Sequence, residues 1–329
     1  MNNSGIFLNP KLFDPDIEQV PSRNGFGEGL VLIASENEQI VGLCADLTES
    51  TRMQEFSGKF PDRFFEIGVA EQNLATVASG LAACGKIPFI TSYATFSPGR
   101  NWEQIRTTIC YNNLPVKIIG SHAGISVGPD GATHQALEDV AIMRALPNMV
   151  VICPTDSIEA KKATLAIANN SKPSYIRLSR DKVPLITTPK TPFQIGKAEV
   201  FHEGKDVAVI ACGQMVYRAL LAAKELELHK ISVRVINCHT IKPIDKKIIL
   251  KAAQETSALV TVEEHQVTGG LGGAVAEVLV QNYPVPLKII GVEDRFGESG
   301  EPNELLKKFG LTKEAIIKAI TQVLRMKGK

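Results

Sequence analysis

The chain has 329 residues, of which 44% are hydrophobic and 22% charged, a balance that is typical of a globular protein and excludes a disordered or fibrous one. Its length suits two domains. Lys and Arg number 36 against 35 Asp and Glu, for a formal net charge of +1, so the sequence has no basic surplus for binding nucleic acid or an anionic membrane surface.

The beginning of the chain and its cysteines indicate a reducing compartment. The N-terminal residues do not join a basic segment to an apolar one, and we therefore expect no signal peptide. No apolar run approaches the roughly 20 residues that span a bilayer. The six cysteines lie mostly in apolar segments and form no C-x-x-C pair, which predicts buried thiols in the cytoplasm rather than disulfides or a zinc site.

Along the first part of the chain, short apolar segments alternate with segments of helical period. Between two of the apolar segments, Leu74, Val77 and Leu81 fall on one helical face and Gly85 ends the helix. Val- and Ile-rich strands separated by helices predict a mostly parallel sheet with helices on both faces. The predicted strands are 41–47, 63–68, 87–94, 115–123, 149–155 and 173–180.

Residues 181–197 interrupt this alternation. They are rich in proline and have no helical period, which predicts a linker. The alternation then resumes and ends in an amphipathic helix at 312–326. We therefore predict an α/β protein with two three-layer α/β/α domains and mostly parallel sheets, the first domain over residues 1–190 and the second over residues 191–329.

The ends of the predicted strands carry polar residues. Ligands of open α/β sheets bind at the carboxyl ends of the strands. The residues at these strand ends are more polar and more specific in type than a solvated loop requires, so we consider them candidate site residues. These residues are Asp46, Gly68, Tyr93, His122 and Arg180.

Two local patterns could supply chemistry, and each has a structural alternative. Glu71 falls in the first turn of a predicted helix, where the helix dipole alone favours a carboxylate by about 0.3–1 kcal/mol. The segment 121–139 places His122, Asp130 and His134 in one glycine-rich loop, which suits a polar pocket as well as a structural turn. A metal site is disfavoured because the two histidines lack the close helical spacing of zinc enzymes.

Isolated cations and hydroxyls are weaker signals. The guanidinium of Arg23 or Arg180 matches a phosphate geometrically, and Ser50 could add a hydroxyl, although each alone is compatible with an ordinary surface residue. The GGLGG segment at 269–273 lacks the spacing of a dinucleotide-binding fingerprint, and we interpret it as a tight turn.

Five segments, taken in order, resemble one family. They are ADLTES (45–50), EIGVAEQN (66–73), YATF (93–96), SHAGISVGPDGATHQ (121–135) and LSR (178–180). Together they resemble the pyrimidine-binding domain of the transketolase family, and the α/β unit that follows resembles the C-terminal domain of that family. The resemblance extends from Arg23 to the end of the chain.

This resemblance implies an enzyme that uses thiamine diphosphate. Glu71 matches the glutamate that hydrogen-bonds the aminopyrimidine and favours the imino tautomer, whose nitrogen removes the thiazolium C2 proton. Gly99 stands where the family often has a second aromatic residue. The implied cofactor-binding residues are Glu71, Phe96 and Tyr93 at the pyrimidine and Asp46 and Leu47 near the thiazolium.

The resemblance also implies sugar phosphates as substrates. Asp130 and His134 match groups that bind the hydroxyls of the donor, and Glu71, His122 and His134 are the implied catalytic residues. The positions that hold the sugar phosphate are Arg23, Ser50, His122 and Arg180.

A further domain of the family has no counterpart here. Its Gly-Asp-Gly…Asn segment binds the diphosphate through a divalent metal, whereas the only similar tripeptide, at 129–131, belongs to the histidine loop. The resemblance therefore implies no metal ligand in this chain. It implies Mg²⁺ or a similar ion held mainly by a partner, an N-terminal transketolase subunit, in a heterotetramer with two copies of each chain. We expect neither a nucleic acid nor a membrane as a partner.

The implied function is that of the C-terminal subunit of a two-chain transketolase, which moves a two-carbon ketol unit between sugar phosphates, as in pentose phosphate metabolism. The alternatives are a 1-deoxyxylulose-phosphate synthase-like enzyme, a 2-oxo-acid dehydrogenase beta-subunit-like enzyme and a non-catalytic interaction subunit. The set Ser50, His122, Asp130 and Arg180 favours a phosphorylated polyol as donor over pyruvate. Glu71 and the two histidines, all present, disfavour the non-catalytic alternative.

Overall fold

The structure, a computed structural model, describes residues 7–327. Residues 1–6, on which the expectation of no signal peptide rests in part, and residues 328–329 lie outside this range. No helix within it is both long and apolar enough to cross a membrane. The strands are β1 (Gln19–Pro21), β2 (Ile40–Cys44), β3 (Phe64–Glu66), β4 (Ile87–Tyr93), β5 (Lys117–Ser121), β6 (Val150–Ile152), β7 (Ser174–Arg177), β8 (Lys182–Pro184), β9 (Glu199–His202), β10 (Val207–Ala211), β11 (Val233–Asn237), β12 (Thr240–Lys242), β13 (Leu259–Gln266) and β14 (Leu287–Val292).

Helices connect most of these strands. The α-helices are α1 (Ser22–Glu36), α2 (Gln54–Lys59), α3 (Glu71–Ala83), α4 (Trp102–Gln104), α5 (Asp139–Arg144), α6 (Ser157–Ala168), α7 (Met215–Glu227), α8 (Lys246–Thr256), α9 (Leu271–Asn282), α10 (Pro302–Lys308) and α11 (Lys313–Met326). A π-helical stretch (Ile105–Cys110) continues α4, and two 3-10 turns occur at Pro61–Arg63 and Ile125–Asp130.

Two large sheets organise the molecule. The first has seven strands in the order β12-β6-β7-β5-β4-β2-β3, all parallel except β12. The second has five strands in the order β14-β13-β10-β11-β9, all parallel except β9. The predicted α/β fold with mostly parallel sheets is therefore confirmed.

The central strands are rich in apolar residues because helices cover both faces of each sheet. Every residue of β2, β5 and β10 is buried. On one face of the first sheet, Phe26 and Leu30 of α1 pack in one cluster with Ala163 and Ile167 of α6. Apolar burial at both faces stabilises the sheets by roughly 25 cal/mol per Å² of apolar surface removed from water.

Two features differ from the predicted organisation. The predicted linker at 181–197 contains a strand, since β8 pairs antiparallel with β1 in a separate two-stranded sheet. In addition β12, which lies within the second predicted domain, joins the edge of the first sheet beside β6. The two halves of the chain thus share a sheet, and the division between residues 190 and 191 stays a prediction.

A buried ion pair also joins the two halves. Arg177 at the end of β7 donates from Nε to the Asp139 carboxylate at 2.9 Å, and its Nη2 donates to the backbone oxygens of Ala136 at 3.1 Å and Glu264 at 2.8 Å. Tyr175 donates its hydroxyl to the same carboxylate at 2.7 Å. Since Glu264 belongs to β13 of the second sheet, this arginine ties the two sheets together.

A buried histidine makes stability depend on pH. His239 is fully buried, stacks on Phe193 with ring centroids 4.3 Å apart, and burial lowers its pKa to about 3. Between pH 6.5 and pH 3 the unfolded chain binds a proton at this residue that the folded chain does not, so stability falls as the pH falls through that window. We expect about 2 kcal/mol of this loss at pH 5, relative to pH 7, to come from His239.

The variant His239→Asn should therefore lose less stability than the unchanged protein between pH 7 and pH 5. Urea unfolding at both pH values measures the difference. The matched control is His229→Asn, since His229 is exposed, and it should leave the pH dependence unchanged. Equal pH dependence in the His239 variant and the unchanged protein would contradict the assignment.

Candidate active site

The candidate site lies at the carboxyl edge of the first sheet. The neighbouring strands β2, β4, β5 and β7 run parallel there, with Tyr93 opposite Ser121 in the register. As a result, the side chains that follow these strands come together, as ligand sites of open α/β sheets require. Of the sequence-predicted residues, Tyr93, Phe96, His122 and His134 form one cluster of rings.

Glu71 is the first residue of α3 and is almost completely buried, with 2% of its side chain exposed. Gly68, at φ +75°, makes the turn from β3 into this helix, a conformation that glycine adopts without strain. The carboxylate Oε2 accepts a hydrogen bond from Arg100 Nη1 at 2.7 Å, and Asn101 Nδ2 donates to the Glu71 carbonyl at 2.9 Å. A carboxylate is thus held in a buried place beside a cation.

The ring cluster lies beside this carboxylate. The rings of Tyr93 and His122 stack with centroids 4.0 Å apart, and His134 meets Phe96 edge to face at 5.3 Å. The guanidinium carbon of Arg100 lies 4.8 Å above the Phe96 ring, and half of the Arg100 side chain is exposed. Arg100 therefore bridges Phe96 and Glu71, a contact that the sequence did not predict.

The backbone geometry at Gly99 leaves no room for a second aromatic residue at that position. A Cβ at Gly99 would lie 1.9 Å from the carbonyl oxygen of Thr95, closer than any side chain tolerates. The local backbone therefore excludes an aromatic residue there. The neighbouring Arg100 takes up the space beside Phe96 instead.

His122 is buried and electrically neutral. Burial, together with the positive charges of Arg23, Arg180 and Arg52, lowers its pKa to about 3. Its Nε2 lies 2.7 Å from Arg23 Nη1, and its Nδ1 lies 2.8 Å from Ser121 Oγ. Because a guanidinium only donates hydrogen bonds, Nε2 is the acceptor and the proton is on Nδ1, from which it is donated to Ser121.

A cation-lined cavity of about 330 Å³ opens next to His122, and we call it the first cavity. Arg23 and Arg180, both predicted, line it together with Arg52 and Lys182, which were not predicted. Arg23 also donates to the Ser50 carbonyl at 3.1 Å, so Ser50 contributes its backbone to this contact. The only signal for Arg52 and Lys182 in the sequence was their position, two residues after Ser50 and Arg180.

The first cavity carries more positive than negative charge. Arg180 has a carboxylate partner at 3.7 Å, Asp130. Burial, followed by the charges of Arg52 and Arg180, lowers the pKa of Arg23, and its Nε is buried without a hydrogen-bond partner among residues 7–327. Such an arrangement of guanidinium groups suits a phosphate, which accepts several charge-assisted hydrogen bonds.

The remaining predicted residues lie around this centre. His134 shares a hydrogen bond with Thr133 Oγ1 through Nδ1 at 2.9 Å, on the same loop as Asp130. Asp46 is exposed and has φ +55°, and its backbone N–H donates a hydrogen bond to the Glu66 carboxylate at 2.7 Å. Leu47 is half-buried beside it. The structure thus attaches Asp46 to β3, and the Leu47 carbonyl accepts hydrogen bonds from Thr51.

Metal ligands are a separate question. In the part of the chain that the structure describes, no group of three or more His, Cys, Asp or Glu side chains is placed to hold a metal ion. The six cysteines are all unpaired, and five of them are buried.

Comparison with known proteins identifies relatives along nearly the whole chain. Family models described as transketolase, pyrimidine binding domain, and transketolase, C-terminal domain, match residues 18–185 and 196–316. A Methanocaldococcus jannaschii protein, provisionally named a transketolase C-terminal section, is 46% identical over 92% of this chain and 96% of its own length. The 6-deoxy-6-sulfo-D-fructose transketolase subunit SqwH of a Clostridium species is 42% identical over 96% of this chain and 98% of its own.

A solved structure gives the same result for the fold. It is described as a split gene transketolase, inactive beta4 tetramer, and it superposes with a TM-score of 0.88 at 46% sequence identity. The match covers 94% of this chain and 99% of that one. The similarity thus extends over both sheets.

Proposed function

The chain belongs to the transketolase family, of which it spans the pyrimidine-binding and C-terminal domains, and from this premise we propose that it is the C-terminal subunit of a two-chain transketolase. In this proposal the complex transfers a two-carbon ketol unit between sugar phosphates. The observation that carries the proposal is the buried Glu71 carboxylate at one end of the ring cluster, whose His122 contacts Arg23 of the first cavity at the other end.

The residues present fit the pyrimidine half of thiamine diphosphate. Arg100 shows that a planar, nitrogen-bearing group can lie over Phe96 and donate to Glu71 at the same time, and an aminopyrimidine ring needs these two contacts. We propose that Glu71, Phe96 and Tyr93 hold the ring, with Asp46 and Leu47 toward the thiazolium. When bound, the cofactor supplies the carbon nucleophile that attacks the ketose carbonyl.

The chain's own residues would orient the sugar phosphate. Arg23 and Arg180 line the first cavity, and Arg23 contacts both Ser50 and His122, so the phosphate would bind among these four residues. Arg52 and Lys182 add two further positive charges there. A neutral His122 would orient the Arg23 guanidinium through its Nε2, and Asp130 and His134, on the adjoining loop, would bind donor hydroxyls.

Partner dependence is part of the proposal. The name of the Clostridium relative describes a subunit, and the solved relative is described as an inactive tetramer of one chain type. We propose that an N-terminal subunit supplies the diphosphate- and Mg²⁺-binding half, in an assembly with two copies of each chain. The unpaired cysteines support a cytoplasmic location, and pentose phosphate metabolism is the proposed setting.

The proposal is tested by an activity assay of this chain with thiamine diphosphate and Mg²⁺, alone and after co-expression with candidate N-terminal subunits. We expect turnover of a ketose phosphate only in the presence of the partner, and much weaker turnover of the same ketose without its phosphate. Activity of the chain alone would contradict partner dependence. A preference for pyruvate as donor would favour the synthase-like or 2-oxo-acid dehydrogenase-like alternative, and an inactive but well-formed complex would favour a non-catalytic subunit.

A further inference from the structure

A second cavity, of about 360 Å³, lies next to the first and has its own positively charged residue. It is formed where the β1–β8 sheet meets α7 and α10, and we call it the second cavity. Its volume is within the usual range for small-molecule sites, about 300–1,000 Å³. Its polar lining includes Gln19, Lys182, Tyr217, Arg218 and Asn303, and one carboxylate, Asp181, stands against the two cations.

Arg218 is the unusual member of this group. It is half-buried on the first turn of α7, and burial lowers its pKa. The carboxylates of Glu264 and Glu314 partly offset this by raising the pKa of Arg218, but both have other partners. Glu264 accepts a hydrogen bond from the Ser126 backbone at 2.7 Å, and Glu314 lies 3.7 Å from Lys313. Arg218 itself forms no ion pair within 4 Å among residues 7–327, so its charge is not neutralised by a contact there.

We propose that the second cavity binds a small phosphorylated polyol as an effector, separately from the first cavity. Arg218 and Lys182 would bind the phosphate, because guanidinium and ammonium groups are its usual partners in proteins. Tyr217, Asn303 and Gln19 would bind hydroxyls, since each can donate and accept hydrogen bonds.

The two cavities are physically connected. Asp181 and Lys182 line both of them. The wall between them includes the hydrogen bond from Gln214 Nε2 to Ser126 Oγ, 2.9 Å long, which joins a residue of the second cavity to one of the first. An anion in the second cavity would draw Lys182 away from the first cavity and weaken phosphate binding there. This coupling, unlike the second site itself, rests on the proposed function.

The test is calorimetric titration of the full chain with inorganic phosphate and with glycerol 1-phosphate. We expect two binding events in the unchanged protein. In Arg218→Gln the affinity of one event should fall by about tenfold to a hundredfold, as for the loss of one hydrogen-bonded charge, while the other event persists. Arg23→Gln, which alters the first cavity, should weaken the other event instead.

A second variant guards against a folding defect in Arg218→Gln. Asn303→Glu places a carboxylate in the second cavity while keeping Arg218, and Asn303 is exposed on α10. It should abolish the same binding event as Arg218→Gln. If no binding event were weakened by both Arg218→Gln and Asn303→Glu, the proposal would be overturned, whether the unchanged protein shows one event or two.

Kinetics then test the coupling in the assembled complex. Inorganic phosphate should raise the KM for a ketose phosphate in the unchanged protein by more than competition at the first cavity alone explains. Arg218→Gln should remove this excess increase in KM while leaving kcat unchanged. An excess that persists in Arg218→Gln would contradict the coupling. The calorimetric result stands independently, because it requires no turnover, so failure of the proposed function and failure of the second site are distinguishable.

Discussion

Replacement of Glu71 by Gln is expected to leave the assembly intact and to reduce kcat by about a hundredfold to ten-thousandfold. The reason is chemical, because the proposed role of Glu71 is to exchange a proton with the pyrimidine ring, and general acid–base groups contribute factors of this size. An amide keeps the shape of the side chain and a hydrogen-bond acceptor for Arg100, but it does not take part in that exchange. Steady-state kinetics and size-exclusion chromatography of the complex measure the two outcomes.

Arg100→Gln is the matched control for this variant. It removes the same 2.7 Å ion pair from the other side while keeping the Glu71 carboxylate. If the carboxylate acts on the cofactor, Arg100→Gln should retain most of the kcat that Glu71→Gln loses. Equal losses in the two variants would assign the effect to the ion pair, and normal turnover of Glu71→Gln would refute the role of Glu71.

The sequence was sufficient to predict the fold and to identify several residues that lie together in the candidate site. Val- and Ile-rich segments such as that of β10 (Val207–Ala211) predicted parallel strands because burial on both faces leaves a local, continuous apolar pattern. The rule that ligands bind at the carboxyl ends of parallel strands predicted that the residues following these strands lie close together. Tyr93 and His122, 29 positions apart, indeed stack at 4.0 Å.

Contacts that depend on tertiary packing could not be predicted in this way. The pairing of Arg100 with Glu71 depends on how the turn after Phe96 folds back on α3, and no spacing rule describes that turn. The cationic residues Arg52 and Lys182 look like surface residues until the first cavity places them beside Arg23. Likewise, β12 joins the first sheet from the second half of the chain, and only the assembled sheet shows its place beside β6.

The neutral composition is compatible with this concentration of charge. A net charge of +1 over the chain does not prevent four cationic side chains from meeting at one cavity. Burial, and after it their mutual repulsion, lowers the pKa of His122 and Arg23, and the repulsion is offset when an anion binds. The charge that a phosphate requires is therefore a property of the folded site and is invisible in the overall count.

The ion pair between Arg177 and Asp139 holds the loop of the site against both sheets. Arg177 also donates to the Ala136 carbonyl at 3.1 Å, and Gly124 N–H donates to the same oxygen at 2.9 Å. These contacts anchor the two ends of the segment that carries Asp130 and His134. A change at Arg177 is therefore expected to affect stability and the position of that segment together.

Arg177→Met is expected to destabilise the protein by about 3–5 kcal/mol, because it leaves the Asp139 carboxylate, 1% exposed, buried without its cation. The double variant Arg177→Met/Asp139→Asn should recover part of this loss, since the amide is neutral and still accepts from Tyr175. The control is Lys59→Met, which removes an exposed pair with Glu55 and should cost no more than about 1 kcal/mol. Urea unfolding measures all three variants. A loss in Arg177→Met no larger than that of the control would show that neither the ion pair with Asp139 nor the backbone contacts of Arg177 stabilise the protein appreciably.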